Sequence, residues 1–101
     1  MKDHRILTPR QEKAAEDELY SALMGLRSVS EFRAFFQDLC TPAELQAMKD
    51  RWAVVESLAE GLTYRAIHDK TGVSVTTIGR VARCLTDGAG GYRTALERLQ
   101  G

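Results

Sequence analysis

Three stretches of this chain repeat a short pattern whose hydrogen-bonding logic belongs to the start of a helix. Thr8-Pro9-Arg10-Gln11 and Thr41-Pro42-Ala43-Glu44 each place a hydroxyl, then proline, then an amide or carboxylate three residues after the hydroxyl. The hydroxyl accepts an orphan backbone N–H of the first turn, the longer side chain reaches back to the cap, and proline occupies a position where no donor is needed. Ser28-Val29-Ser30-Glu31 repeats the pattern without the proline. Both prolines of the chain stand at such starts, so neither interrupts a helix.

Each start leads into apolar residues at three- and four-residue steps, the period of a one-sided helix. Ala15, Leu19, Ala22, Leu23 and Leu26 follow the first, Phe32, Phe35, Phe36 and Leu39 the second, and Leu45, Met48, Trp52, Val55 and Leu58 the third. These predict helices over 9–26, 30–40 and 42–60, the last stopped by Gly61. Beyond Gly61 the elements shorten. Thr63 caps a helix over 64–71 with Ile67 inward, Gly72 breaks it, and Ser74 caps another carrying Val75, Ile78, Val81, Ala82 and Leu85. The link Gly88-Ala89-Gly90-Gly91 precedes a last helix with Tyr92, Ala95, Leu96 and Leu99. No alternating stretch is long enough for a strand. The fold class is all-α with about six helices, as a tail over residues 1–8 and one domain over 9–101.

Composition narrows the functional classes. No run of 18 apolar residues occurs, so no membrane partner is expected. Met1-Lys2-Asp3-His4-Arg5 leads into no apolar signal core, and Cys40 and Cys84 build no disulfide framework, which points to the cytoplasm. Both cysteines are expected to be small buried hydrophobes. Two histidines and two cysteines without close spacing make no zinc site, and Glu16, Asp17 and Glu18 splay around their helix instead of converging. No metal, no catalytic residues and no enzyme activity are expected. The glycine link lacks the preceding strand and following Lys-Ser/Thr of a phosphate loop and reads as a hinge.

The 14 basic and 14 acidic residues cancel overall, but not locally. Residues 61–101 hold Arg65, Lys70, Arg80, Arg83, Arg93 and Arg98 against Asp69, Asp87 and Glu97. Within that basic part, residues 63–86 read as a helix-turn-helix. Gly72 permits the sharp turn, and Ile67 and Ile78 lock the helices. The second helix is left free to present Thr76, Thr77, Gly79 and Arg80, with Arg83 one turn later. Small hydroxyls and guanidinium groups of this kind reach base edges and phosphates from within a major groove. Arg65, His68, Ser74 and Val75 complete the candidate DNA-binding set. Helix-turn-helix units often carry alanine where His68 stands, so its side chain must point outward.

Several stretches resemble the tryptophan repressor superfamily: Leu39 to Trp52, Val54-Val-Glu-Ser-Leu-Ala-Glu-Gly61, and Thr77-Ile-Gly-Arg80. Tyr64-Arg65-Ala66-Ile67, Thr71-Gly72-Val73-Ser74, Ile78 to Arg83 and Gly90-Gly91-Tyr92 are similar to its YerC/YecD-type branch. The resemblance covers about residues 10–99. It implies an intertwined homodimer that binds operator DNA as a transcriptional regulator. It also implies a ligand site at Thr41, Arg51, Arg80 and Cys84, where the family's repressor holds tryptophan. Here a serine of that site is Cys84, a poor hydrogen-bond acceptor, and a glycine is Val81, whose branches intrude where the indole would lie. Each residue also has a plainer use: Thr41 as a cap, Arg51 as a partner of Glu44 or Asp50, Arg80 at a phosphate. The expectation is a regulator that needs no tryptophan or other cofactor. The alternatives are a tryptophan- or small-corepressor-dependent regulator and a helical protein-interaction module.

Overall fold

The computed structural model of the chain describes residues 6–101. The tail expected over 1–8 thus lies largely outside the described residues; Ile6 and Leu7 precede the first helix without regular structure. The described residues form six helices and no strand: α1 (Pro9–Met24), α2 (Val29–Leu39), α3 (Pro42–Ala59), α4 (Tyr64–Thr71), α5 (Val75–Asp87) and α6 (Gly91–Gln100). No helix among them is long and apolar enough to cross a membrane. The chain divides into two compact units, one ending at Cys40 and the other running from Thr41 to Gly101.

In the first unit, Thr8 and Gln11 form the expected capping box of α1, each bonding the other's backbone N–H at 3.1 and 2.9 Å. Ser28 caps α2 through the Glu31 N–H at 3.1 Å. The first helix ends at Met24 rather than Leu26, because Gly25 and Leu26 turn their N–H groups to Ala22 and Leu23 and tighten the last turn. The second starts one residue earlier than predicted and ends one earlier, at Leu39. Phe36 stacks on Phe32 and meets Phe35 edge-on, with ring centroids 6.5 and 5.8 Å apart. Tyr20 donates its hydroxyl to Glu16 at 2.6 Å, and this bond, with the carboxylate charge, holds its proton above the usual tyrosine range. Neither helix buries a single residue. The stripes predicted to face inward are at most half covered: Leu19, Leu23, Leu26, Phe35 and Phe36 are half-buried, while Ala15, Ala22, Phe32 and Leu39 are exposed. Periodicity reveals which face is apolar, but not what covers it.

The second unit has a true interior. Val54 and Val55 of α3, Ile67 of α4, Val73 of the following turn, and Ile78 and Val81 of α5 are buried against one another. Trp52, Leu58, Leu62, Tyr92 and Leu96 pack around them, with the Trp52 and Tyr92 rings 6.3 Å apart. Trp52 is thus half-buried at the edge of the core. Thr41 and Glu44 close the capping box of α3. At its other end Gly61, at φ +87°, lets its own N–H reach Leu58 and the Leu62 N–H reach Ser57, which answers two orphan carbonyls. The chain thereby reverses with Leu62 already against the core. Arg93 closes the far side by donating Nε to the Leu85 carbonyl at 2.9 Å, tying α6 to the last turn of α5.

Ile67 and Ile78 are fully buried and hold the two short helices together, so Ile78→Ala should leave a cavity that α4 and α5 cannot close. A loss of about 2–5 kcal/mol is expected, measured as a lower midpoint at unchanged slope in urea unfolding.

Candidate nucleic-acid interface

The helix-turn-helix is built as its residue types demand. Thr63 Oγ1 accepts the Ala66 N–H at 3.1 Å and starts α4. Gly72, at φ +76°, ends it in the left-handed region that a residue with a β-carbon avoids, and its N–H returns to the His68 carbonyl at 2.8 Å. Two residues later Ser74 Oγ accepts the Thr77 N–H at 3.2 Å and starts α5.

Between those caps lies Val73, with its side chain in the core and its polar groups held from α4. Thr71 Oγ1 accepts the Val73 N–H at 3.1 Å while donating to the Ile67 carbonyl at 2.7 Å. His68 Nδ1 lies 2.7 Å from the Val73 carbonyl. A carbonyl only accepts, so Nδ1 carries the hydrogen. His68 is exposed, as the large side chain at that position requires. Its ring folds over the turn and fastens it.

The outward face of α5 carries Val75, Thr76, Arg80 and Arg83, all exposed, with Thr77 and Gly79 half-covered. Ser74 Oγ donates to Thr77 Oγ1 at 3.0 Å, which leaves the Thr77 hydroxyl hydrogen free to point elsewhere. Arg65 stands exposed on α4. The ion pairs among the described residues are Lys13–Asp17 and Lys70–Glu60, so Arg65, Arg80 and Arg83 enter none. Residues 63–86 therefore present three uncommitted guanidinium groups.

Two hollows each take in some of the nominated residues. One, of about 570 Å³, is lined by Tyr64, Arg65, His68, Asp69 and Val75 at the mouth of the motif. The other, of about 350 Å³, lies along the end of α5 between Arg80, Arg83, Cys84, Asp87 and Gly88. Tyr64 and Asp69 were not singled out from the sequence. The Tyr-Arg pair at the start of α4 was the available signal, but spacing along one helix does not tell which neighbour on the next helix a ring will touch.

The four residues proposed to hold a ligand do not share a hollow. Arg80 and Cys84 line the second one, whereas Thr41 and Arg51 line neither. Thr41 caps α3 with its hydroxyl, and Arg51 follows ten residues later, about 15 Å along the helix. Arg51 pairs with neither Glu44 nor Asp50; Glu44 bonds the Thr41 backbone and Asp50 accepts from Gln46. Val81 is 2% exposed and belongs to the core. The burial expected for the cysteines is corrected: Cys84 is exposed and Cys40 only half-covered. Cys84 sits one turn after Arg80 and beside the stripe of Ile78 and Val81, at the edge that the packed residues leave open.

With this geometry the chain matches known proteins along most of its length. The family model described as Trp repressor protein matches residues 14–100. An uncharacterised Bacillus subtilis protein, YerC, is 42% identical over 84 residues, which span 83% of this chain and 81% of that protein. The solved structure of a TrpR-like protein from Eubacterium eligens superposes with a TM-score of 0.84 at 36% identity, covering 92% of this chain and 96% of that one. A candidate Trp repressor from Staphylococcus aureus gives 0.83 at 35% identity, with 93% and 96% covered. The fold is shared over most of both chains, and the chain belongs to the Trp repressor family.

Proposed function

We propose that the chain is a sequence-specific DNA-binding transcriptional regulator that acts in the cytoplasm as a homodimer, with residues 9–101 serving as one DNA-binding domain. The observation that carries this reading is the set of uncommitted guanidinium groups of Arg65, Arg80 and Arg83, placed around the hydroxyls of Thr76 and Thr77 on a braced helix-turn-helix. Guanidinium groups free of protein carboxylates are available to phosphates, and hydroxyls reach base edges. Ser74 braces Thr77 so that its hydroxyl donates outward, a role that suits an acceptor on a base. His68 contributes through the turn it fastens. Family membership supports a regulator rather than an enzyme.

The homodimer is supported by the first unit. Two helices of 16 and 11 residues with no buried side chain, Met24 86% exposed and Val29 72% exposed, present apolar surface that a second copy can cover.

A gel shift of genomic fragments against random competitor DNA tests this reading, with light scattering on the same sample. A complex that survives competitor at physiological salt and weakens steeply as salt rises is expected, together with the mass of two chains. Thr77→Ala should reduce discrimination between sites by about 1–3 kcal/mol for each lost base contact. Arg65→Ala and Arg83→Ala should weaken all sequences alike and lower the salt slope by about one each. Binding no stronger than that of random DNA, or a single-chain mass, would overturn the reading.

DNA binding is further proposed to be independent of tryptophan. Val81 fills apolar volume in the core permanently, without the association entropy that a free ligand must lose. Thr41 is engaged as a cap, and Cys84 is a weak acceptor. Calorimetry with millimolar L-tryptophan should show no saturable heat, and operator affinity should not move. A tenfold gain in affinity, about 1.4 kcal/mol of coupling, would restore Thr41, Arg51, Arg80 and Cys84 as a corepressor site.

A further inference from the structure

The hollow at the mouth of the helix-turn-helix has a chemistry that phosphate contacts do not use. Its wall combines Val75, 55% exposed at the first position of α5, with Tyr64, 43% exposed at the first position of α4. These are large apolar surfaces left open on the face that carries Arg65 and Thr76. The Tyr64 ring faces Gly79 of α5: a β-carbon built on Gly79 would meet Tyr64 Cε2 at 3.9 Å, ordinary contact distance. The ring therefore sits across from α5 at Gly79, one turn after Val75, with room for no more than a methyl group at ordinary contact distance. A larger side chain at 79 would displace it.

Asp69 lines the same hollow. Its carboxylate makes the hollow a poor seat for a phosphate, which is better placed on the Arg65 guanidinium at the rim. What fits an apolar wall bounded by a cation is the edge of a base, and the one apolar group that base edges present in the major groove is the thymine C5-methyl. The geometry points to Tyr64 and Val75 as a seat for one thymine methyl in each half-site, which makes them specificity-determining residues beside the polar readers on α5. This rests on the proposed DNA binding and deepens it.

The test begins with duplexes recovered from a randomised pool by the full-length protein. Each thymine is then replaced singly by deoxyuridine, which removes only the methyl group. Wild type should lose about fourfold in affinity at one thymine per half-site, and about fifteenfold when both are replaced, as expected for one buried methyl each. Val75→Ala, an exposed substitution that leaves the core untouched, should erase most of the thymine preference, so that its affinities for the thymine and deoxyuridine duplexes converge. Tyr64→Phe should keep the preference, and Tyr64→Ala should lose it. Binding that is indifferent to every single replacement, or a preference undiminished in Val75→Ala, would overturn the seat while leaving DNA binding intact. Recovery of no duplex would overturn DNA binding itself, and the seat with it.

Discussion

Val73 is the residue on which the geometry of the second unit turns. Its side chain is held in the core, its N–H by Thr71 and its carbonyl by His68. A turn has few such anchors, because its backbone groups ordinarily bond to water or to each other. Here both polar groups of one residue are tied to the preceding helix. The entry of α5 is therefore fixed to α4 by two side-chain bonds as well as by the Ile67–Ile78 contact. Every exposed group on α5 inherits its direction from that arrangement, from Thr76 and Arg80 to Arg83 a turn further on.

Much of this was legible in the chain because caps are local. Thr8, Ser28, Thr41, Thr63 and Ser74 all cap the helices their sequence neighbours announce, since a hydroxyl and an N–H three residues away meet without help from the rest of the fold. Ile67, Ile78 and Val81 were equally readable, because short helices around a tight turn leave few ways to bury a β-branched stripe. Contacts that join one helix to another were not readable. Tyr64 facing Gly79, and His68 reaching across to Val73, depend on the angle between α4 and α5, which periodicity does not encode. The aromatic residues of α2 and the thiol of Cys84 show the same limit: residue type suggests burial, but only a covering surface produces it.

The two units differ in how they combine sequence and energy. The second closes an interior of six buried apolar residues with helices that follow one another directly. The first carries its apolar residues on open faces and its order in capping bonds. Net stabilisation from such bonds is modest, about 1 kcal/mol each, against about 1–2 kcal/mol of backbone entropy for every residue fixed. The unit that holds the helix-turn-helix is the one with an interior of its own.

That difference extends to time. The packing of α3 on α5 and α4, of α4 on α5 and of α5 on α6 joins helices no more than two elements apart in the chain, and helical structures rich in such local contacts close within microseconds to milliseconds. Two chains must first meet by diffusion, at a rate set by their concentration. In a newly made chain the surface bearing Thr76, Arg80 and Arg83 can therefore take shape by a first-order process. Any pairing of chains follows at a pace that dilution alone can slow.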